Sequence, residues 1–171
     1  KSRVFEWELI RQMNGLGFDE ARLYSFYSKK DAENCGIDTD HFEIENPLSE
    51  ELSLMRISLV PNLLRSASEN AKYLADFSIF ELGREYLKKG EERVERRKIS
   101  GVYFNIAKKD TELFYVLKGK VAALLQKNID GKIEFIVPLN WSNGIYHQTR
   151  TAEIIVNGDK VGILGQVNKA V

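Results

Sequence analysis

The chain of 171 residues carries one cysteine, two histidines and three prolines. A single cysteine, Cys35, excludes an internal disulfide framework and fits a reducing compartment. It sits in "ENCGID" with no neighbouring base, so it reads as a plain free thiol rather than a nucleophile. His41 and His147 are far apart and lack ligand spacing to Cys35. A zinc site needs about four N, O or S ligands, so both read as isolated polar histidines. Lys+Arg and Asp+Glu number 25 each, leaving no net charge. That excludes a global attraction for polyanions, and any nucleic-acid contact must be local. No apolar run approaches the length of a membrane span, and no charged-then-apolar leader opens the chain. No membrane partner is expected, and the cytoplasm is the expected compartment. The first residue is Lys1, which reads as a piece cut from a longer polypeptide.

Apolar residues are not lacking. They make up 43%, with nine Phe, seven Tyr and two Trp, enough for a core. Residues 3–17 predict a helix with Phe5, Leu9, Met13 and Leu16 on one face, ended by Gly15 and Gly17. "DEARLYSFYS" (Asp19–Ser28) predicts a strand, and 29–50 mostly loop with a short strand at His41–Ile44. A second helix is predicted from near Ser58 to about Leu74, with Ser58 as its cap and Pro61 in its first turn. Val60, Leu63, Leu64 and Ala67 would face a sheet; Asn62, Arg65, Ser66, Glu69 and Tyr73 would face outward. "FSIFELGREYLKK" (Phe77–Lys89) and "RKISGVYFNIA" (Arg97–Ala107) alternate as strands, with "KKGEERVERR" as an exposed hairpin tip. A third helix covers about Thr111–Lys127, capped by Asp110 or Thr111. Lys132–Pro138 is a strand. Thr151–Val167 is a hairpin about Asn157-Gly158. The sum is α+β: one module over 1–171, a largely antiparallel sheet of about five to seven strands flanked by helices.

No spacing here is a catalytic signature. Glu43, Glu45, Glu50 and Glu51 cluster, but nothing fixes their separation, and they read as a solvated acidic loop. The glycines of "NGDKVGILG" are followed by no helix and form no phosphate cradle. Arg93, Arg96, Arg97 and Lys98 are a small basic cluster interleaved with Glu91, Glu92 and Glu95. A solvated face is the default, with an RNA-backbone contact as the weaker reading. Asn140-Trp141 and Tyr146-His147 form an aromatic loop whose tryptophan is expected to pack on the core.

Several segments together resemble the β subunit of phenylalanyl-tRNA synthetase: "LGFDEARLYSF" (Leu16–Phe26), "NPLSEELSLMRISLVPNLL" (Asn46–Leu64), "FELGREY" (Phe80–Tyr86), "FYVLKGKVAALL" (Phe114–Leu125) and "GILGQV" (Gly162–Val167). Their order and spacing match that family over nearly the whole chain. The resemblance implies a class II-like module that does not catalyse, truncated at its C-terminus. It would support assembly with the catalytic α subunit and a second β subunit in a phenylalanine–tRNA ligase. For the whole enzyme it implies ATP, magnesium and tRNA-Phe, with no cofactor, metal or catalytic residue in this fragment.

By the same resemblance, the helix after Arg56 occupies the place of class II motif 1, a long helix that builds the subunit interface. Arg56, Pro61, Asn62, Arg65, Glu69, Asn70 and Tyr73 are then the interface or structural candidates, with Arg56 anchoring the entry loop by hydrogen bonds. "FELGREY" looks like the first strand of motif 2. There a similar Gly-x-x-Tyr run precedes an arginine that holds the ATP α-phosphate. Here Gly83, Arg84, Glu85 and Tyr86 are followed by Leu87, which cannot supply charged donors. One departure from the family is Gln148-Thr149, where a Pro-Gly is common. The alternatives are a residual ATP- and amino-acid-binding domain, or an RNA-contacting module through Arg93, Arg96, Arg97 and Lys98.

Overall fold

The computed structural model describes residues 2–90, 92–138 and 145–168. The Asn140-Trp141 expectation lies outside the described residues. The chain divides into two compact units, Lys1–Ile106 and Ala107–Val171.

The first unit opens with α1 (Ser2–Gly15). Leu9 and Met13 are buried as the helical period requires, but Phe5, expected beside them, is 53% exposed. The expected strand over 19–28 is instead two short pieces, β1 (Asp19–Glu20) and β2 (Phe26–Tyr27), in different sheets. The carbonyls of Tyr24 and Phe26 are taken by side chains rather than by a ladder. The expected loop from 29 begins with a helix, α2 (Lys29–Asn34). Ser28 and Asp31 form a reciprocal capping box that holds its start. The expected strand at 41–44 is a single bridge, Glu43 to Leu54, beside β3 (Leu54–Met55).

The second predicted helix is shorter than expected: α3 runs Val60–Asn70. Leu59 is its N-cap, and Ser58 Oγ accepts only the nearby Val60 N–H at 3.2 Å. Pro61 sits in the first turn, where no donor is needed. The long hairpin forms as the alternation predicts, from β4 (Asp76–Lys89) and β5 (Glu92–Asn105), in antiparallel register from Asp76↔Asn105 to Lys89↔Glu92. Gly90 turns it at φ 63°. β1 pairs β4 in parallel.

The second unit holds α4 (Asp110–Asn128), β6 (Ile133–Ile136), β7 (Tyr146–Val156) and β8 (Asp159–Val167). Lys109 is the N-cap of α4 and makes no side-chain cap bond, so neither Asp110 nor Thr111 caps it. The Asn157-Gly158 turn takes φ values of 51° and 92°, as a tight hairpin of this handedness demands. Between Tyr146 and Thr151 the β7–β8 register slips, placing His147, Gln148 and Thr149 on a bulge. Among the described residues the strands form three sheets, ordered β1-β4-β5, β2-β3 and β6-β7-β8, instead of one. Every described pair but β1–β4 is antiparallel. Among the described residues no helix is long and apolar enough to cross a membrane.

Candidate functional site

β4 is buried on both faces where it passes α1 and α3. Alternation sends Phe80 and Leu82 to one face, and Glu81, Gly83, Glu85 and Leu87 to the other. Phe80 is fully buried, with Phe18 nearby over Gly101. The second face, which the sequence would leave to solvent, receives Arg56.

Arg56 precedes α3 and is 3% exposed. Its Nη1 and Nη2 donate to the two oxygens of Glu81, each at 2.9 Å. Nε donates to the Arg84 carbonyl at 2.9 Å, and Nη1 also reaches the Tyr24 carbonyl at 3.2 Å. The Arg56 backbone is clasped as well: its N–H donates to Ser25 O, and its carbonyl accepts from Tyr86 N–H. A bidentate, fully partnered guanidinium suits a buried carboxylate, because an unpaired charge there would be costly.

Gly83 makes room for this pair. A Cβ at that position would stand 2.5 Å from Arg56 Nη2 and 2.8 Å from Leu59 Cδ2. One step along, Glu85 accepts a hydrogen bond from the Leu59 backbone N–H, at the start of α3. Burial is the main cause that lifts its carboxyl above the usual range; Lys98, that bond, Arg96 and Arg56 pull the other way. Leu87 is half-buried opposite Val94.

Asn62 does not face outward. It is 2% exposed, and its amide donates to the carbonyls of Tyr24 and Phe26 at 2.6 and 3.1 Å. Its Oδ1 is buried without a partner among the described residues. Pro61 is buried too. Arg56, Pro61 and Asn62 are therefore buried within this chain. Arg65 reaches Asp31 at 3.3 Å, Glu69 pairs with Lys72, and Asn70 donates to the Ser66 carbonyl. Tyr73 is 84% exposed.

The basic cluster is broken up in space. Arg93 pairs with Glu95, Arg97 with Glu6 at 2.7 Å, and Arg84 also reaches Glu95. Arg96 lies opposite Glu85 in the β4–β5 register, and Lys98 opposite Gly83. Cys35 is buried, and that burial, with Asp31 adding, pushes its thiol up to about 11, which suppresses the thiolate at neutral pH. His41 bonds Tyr27 rather than any metal-ligating neighbour. Sequence reasoning missed Glu81 and Tyr27, read as ordinary strand residues. A buried partner was signalled only by the lone Arg56 amid apolar neighbours.

The fold has the architecture of a tRNA synthetase. The structure of a pyrrolysyl tRNA synthetase, PylSc from Desulfitobacterium hafniense, superposes with a TM-score of 0.72 over 92% of this chain and 55% of that one. Identity is 16%, so the likeness is one of fold. The chain belongs to the family of the phenylalanyl tRNA synthetase beta chain CLM domain, whose model matches residues 1–171. It is 34% identical over 92% of its length to the phenylalanine–tRNA ligase beta subunit of Bacillus subtilis, and 32% identical over 94% to that of Geobacillus kaustophilus. It spans 21% of the length of each.

Proposed function

We propose that this chain is a non-catalytic, class II-like module of a phenylalanine–tRNA ligase β subunit, working in the cytoplasm to support assembly with the catalytic α subunit. The carrying observation is the filled face of β4. A nucleotide needs cationic donors free to meet its phosphates. Leu87 stands where the resemblance calls for such an arginine. Of the cations on this face, Arg56 is buried and has spent its donors on Glu81, Arg84 O and Tyr24 O, while Arg96 and Lys98, on β5 opposite Glu85 and Gly83, bear on the Glu85 carboxylate. Gly83 and Leu59 close the remaining space. The residues present do not fit ATP and magnesium, and no chemical step is assigned to them. Charging of tRNA-Phe, with ATP and magnesium, belongs in this reading to the whole ligase.

The assembly role draws on exposed apolar side chains. Val4, Trp7 and Tyr73 are 74, 70 and 84% exposed, and Phe5 adds to the first two on α1. Such groups are enriched where a surface is covered by another chain. With Arg56 before it and Pro61 and Asn62 in its first turn all turned inward, α3 offers its later part, around Arg65, Glu69 and Asn70, together with Tyr73 just beyond its end, to the α subunit or a second β subunit. Of the four cations of the RNA reading, Arg93 and Arg97 already hold carboxylates, which favours the assembly role over it.

A full-length β subunit lacking the segment corresponding to this chain should fail to sediment with the α subunit. The intact β subunit carrying Leu87→Arg should sediment with α as the wild type does. Undiminished association of the deletion variant would overturn the assembly role.

A further inference from the structure

Residues 37–48 carry almost no regular structure, yet they are strapped down at several points. Ile44 N–H donates to Ser53 O and Met55 N–H to Phe42 O, each at 2.9 Å. Lys88 holds Asp40 at 2.7 Å, and Lys29 holds Glu43 at 3.2 Å. The remaining tie is His41, whose Nε2 lies 2.8 Å from the hydroxyl of Tyr27. The two rings meet edge-on, 5.6 Å between centroids.

Tyr27 is fully buried in a cluster with Ala32 and Leu54. Its hydroxyl accepts the Ile57 backbone N–H at 3.1 Å. The hydroxyl therefore joins the strap to the residue after Arg56. Burial above all pushes this phenol up to about 12, so it keeps its proton near neutrality. With Ile57 donating to the oxygen, the phenolic proton is directed at His41, and Nε2 must accept it. The hydrogen bond thus selects the neutral imidazole with its proton on Nδ1.

We propose that His41 is a proton-operated latch on the 37–48 strap. One proton taken from water onto the Nε2 lone pair turns the acceptor into a donor. The Tyr27 oxygen can accept it as a second bond, but its own proton is then stranded in a fully buried site. Of the strap's four carboxylates, Asp40 and Glu43 are already bound to Lys88 and Lys29, leaving Asp38 and Glu45. Cys35 and Glu85 act on Tyr27 from α2's end and from β4, and Lys88 sits over the Phe42 ring. Stranding one buried donor corresponds to roughly a ten- to hundredfold loss of strap protection.

Amide hydrogen exchange at Ile44 and Met55, corrected for the intrinsic pH dependence of exchange, reads the latch. Between about pH 7.5 and about pH 5, where an imidazole gains its proton, protection should fall roughly ten- to hundredfold. In His41→Gln, whose amide oxygen accepts from Tyr27 without titrating, protection should be the same at both pH values. In Tyr27→Phe the strap should already be loose at the higher pH. A flat wild-type profile overturns the latch, as does an equal fall in His41→Gln, which would assign the effect to Asp38, Asp40, Glu43 or Glu45.

Discussion

Replacing Arg56 with methionine should destabilise the chain by about 3–5 kcal/mol in urea denaturation, the loss expected when one partner of a buried ion pair is removed. The size follows from what is left behind. Glu81 would be left inside the protein with both oxygens deprived of their donors, which is costly whether it keeps its charge or takes up a proton. The carbonyls of Arg84 and Tyr24 would lose donors too. The double variant Arg56→Met with Glu81→Leu removes the stranded carboxyl group and should recover most of the loss, because apolar side chains of similar volume can replace a buried pair. The coupling between the two substitutions in a double-mutant cycle should be far larger than the ~0.5 kcal/mol within which independent sites add. Surface pairs such as Lys72–Glu69 should show next to none by the same measurement.

Gly83→Ala should be the second most damaging change, although it adds one methyl group. The new Cβ would lie within 3 Å of both Arg56 Nη2 and Leu59 Cδ2. The tip of an isolated arginine could swing aside. This one is held by four hydrogen bonds, so relief must come from breaking the pair or shifting the start of α3. Overpacking of this kind costs about 1–3 kcal/mol. A thermal melt should show Gly83→Ala well below wild type, whereas Gly119→Ala, with open space around its Cβ, should not fall. Combining Gly83→Ala with Arg56→Met should cost less than the sum, since the clash and the pair share an atom.

Long, periodic elements were legible in the sequence. The β4–β5 hairpin, the Asn157-Gly158 turn and the four-residue rhythm of Leu9 and Met13 each carry their signal in neighbouring residues. The α2 helix was legible too, through Ser28 and Asp31 three apart, and was overlooked inside a stretch read as loop. The strand expected over Asp19–Ser28 could not be corrected locally. Its carbonyls are claimed by Arg56 and Asn62, more than thirty positions away, which no period reveals. The buried face of β4 was hidden for the same reason. Glu81 looks like a solvent-facing carboxylate in "FELGREY" until Arg56 is brought across to it. Asn62 shows the reverse error: a polar residue on a helix is assigned outward, yet here it serves as a donor to bare loop carbonyls.

Isothermal calorimetry of this chain with ATP, magnesium and phenylalanine tests the central claim most directly. A β4 face filled by Arg56, Glu81 and Leu59 predicts no saturable heat. One-to-one binding of the nucleotide that Leu87→Glu weakens would place a phosphate site on this face and contradict the account.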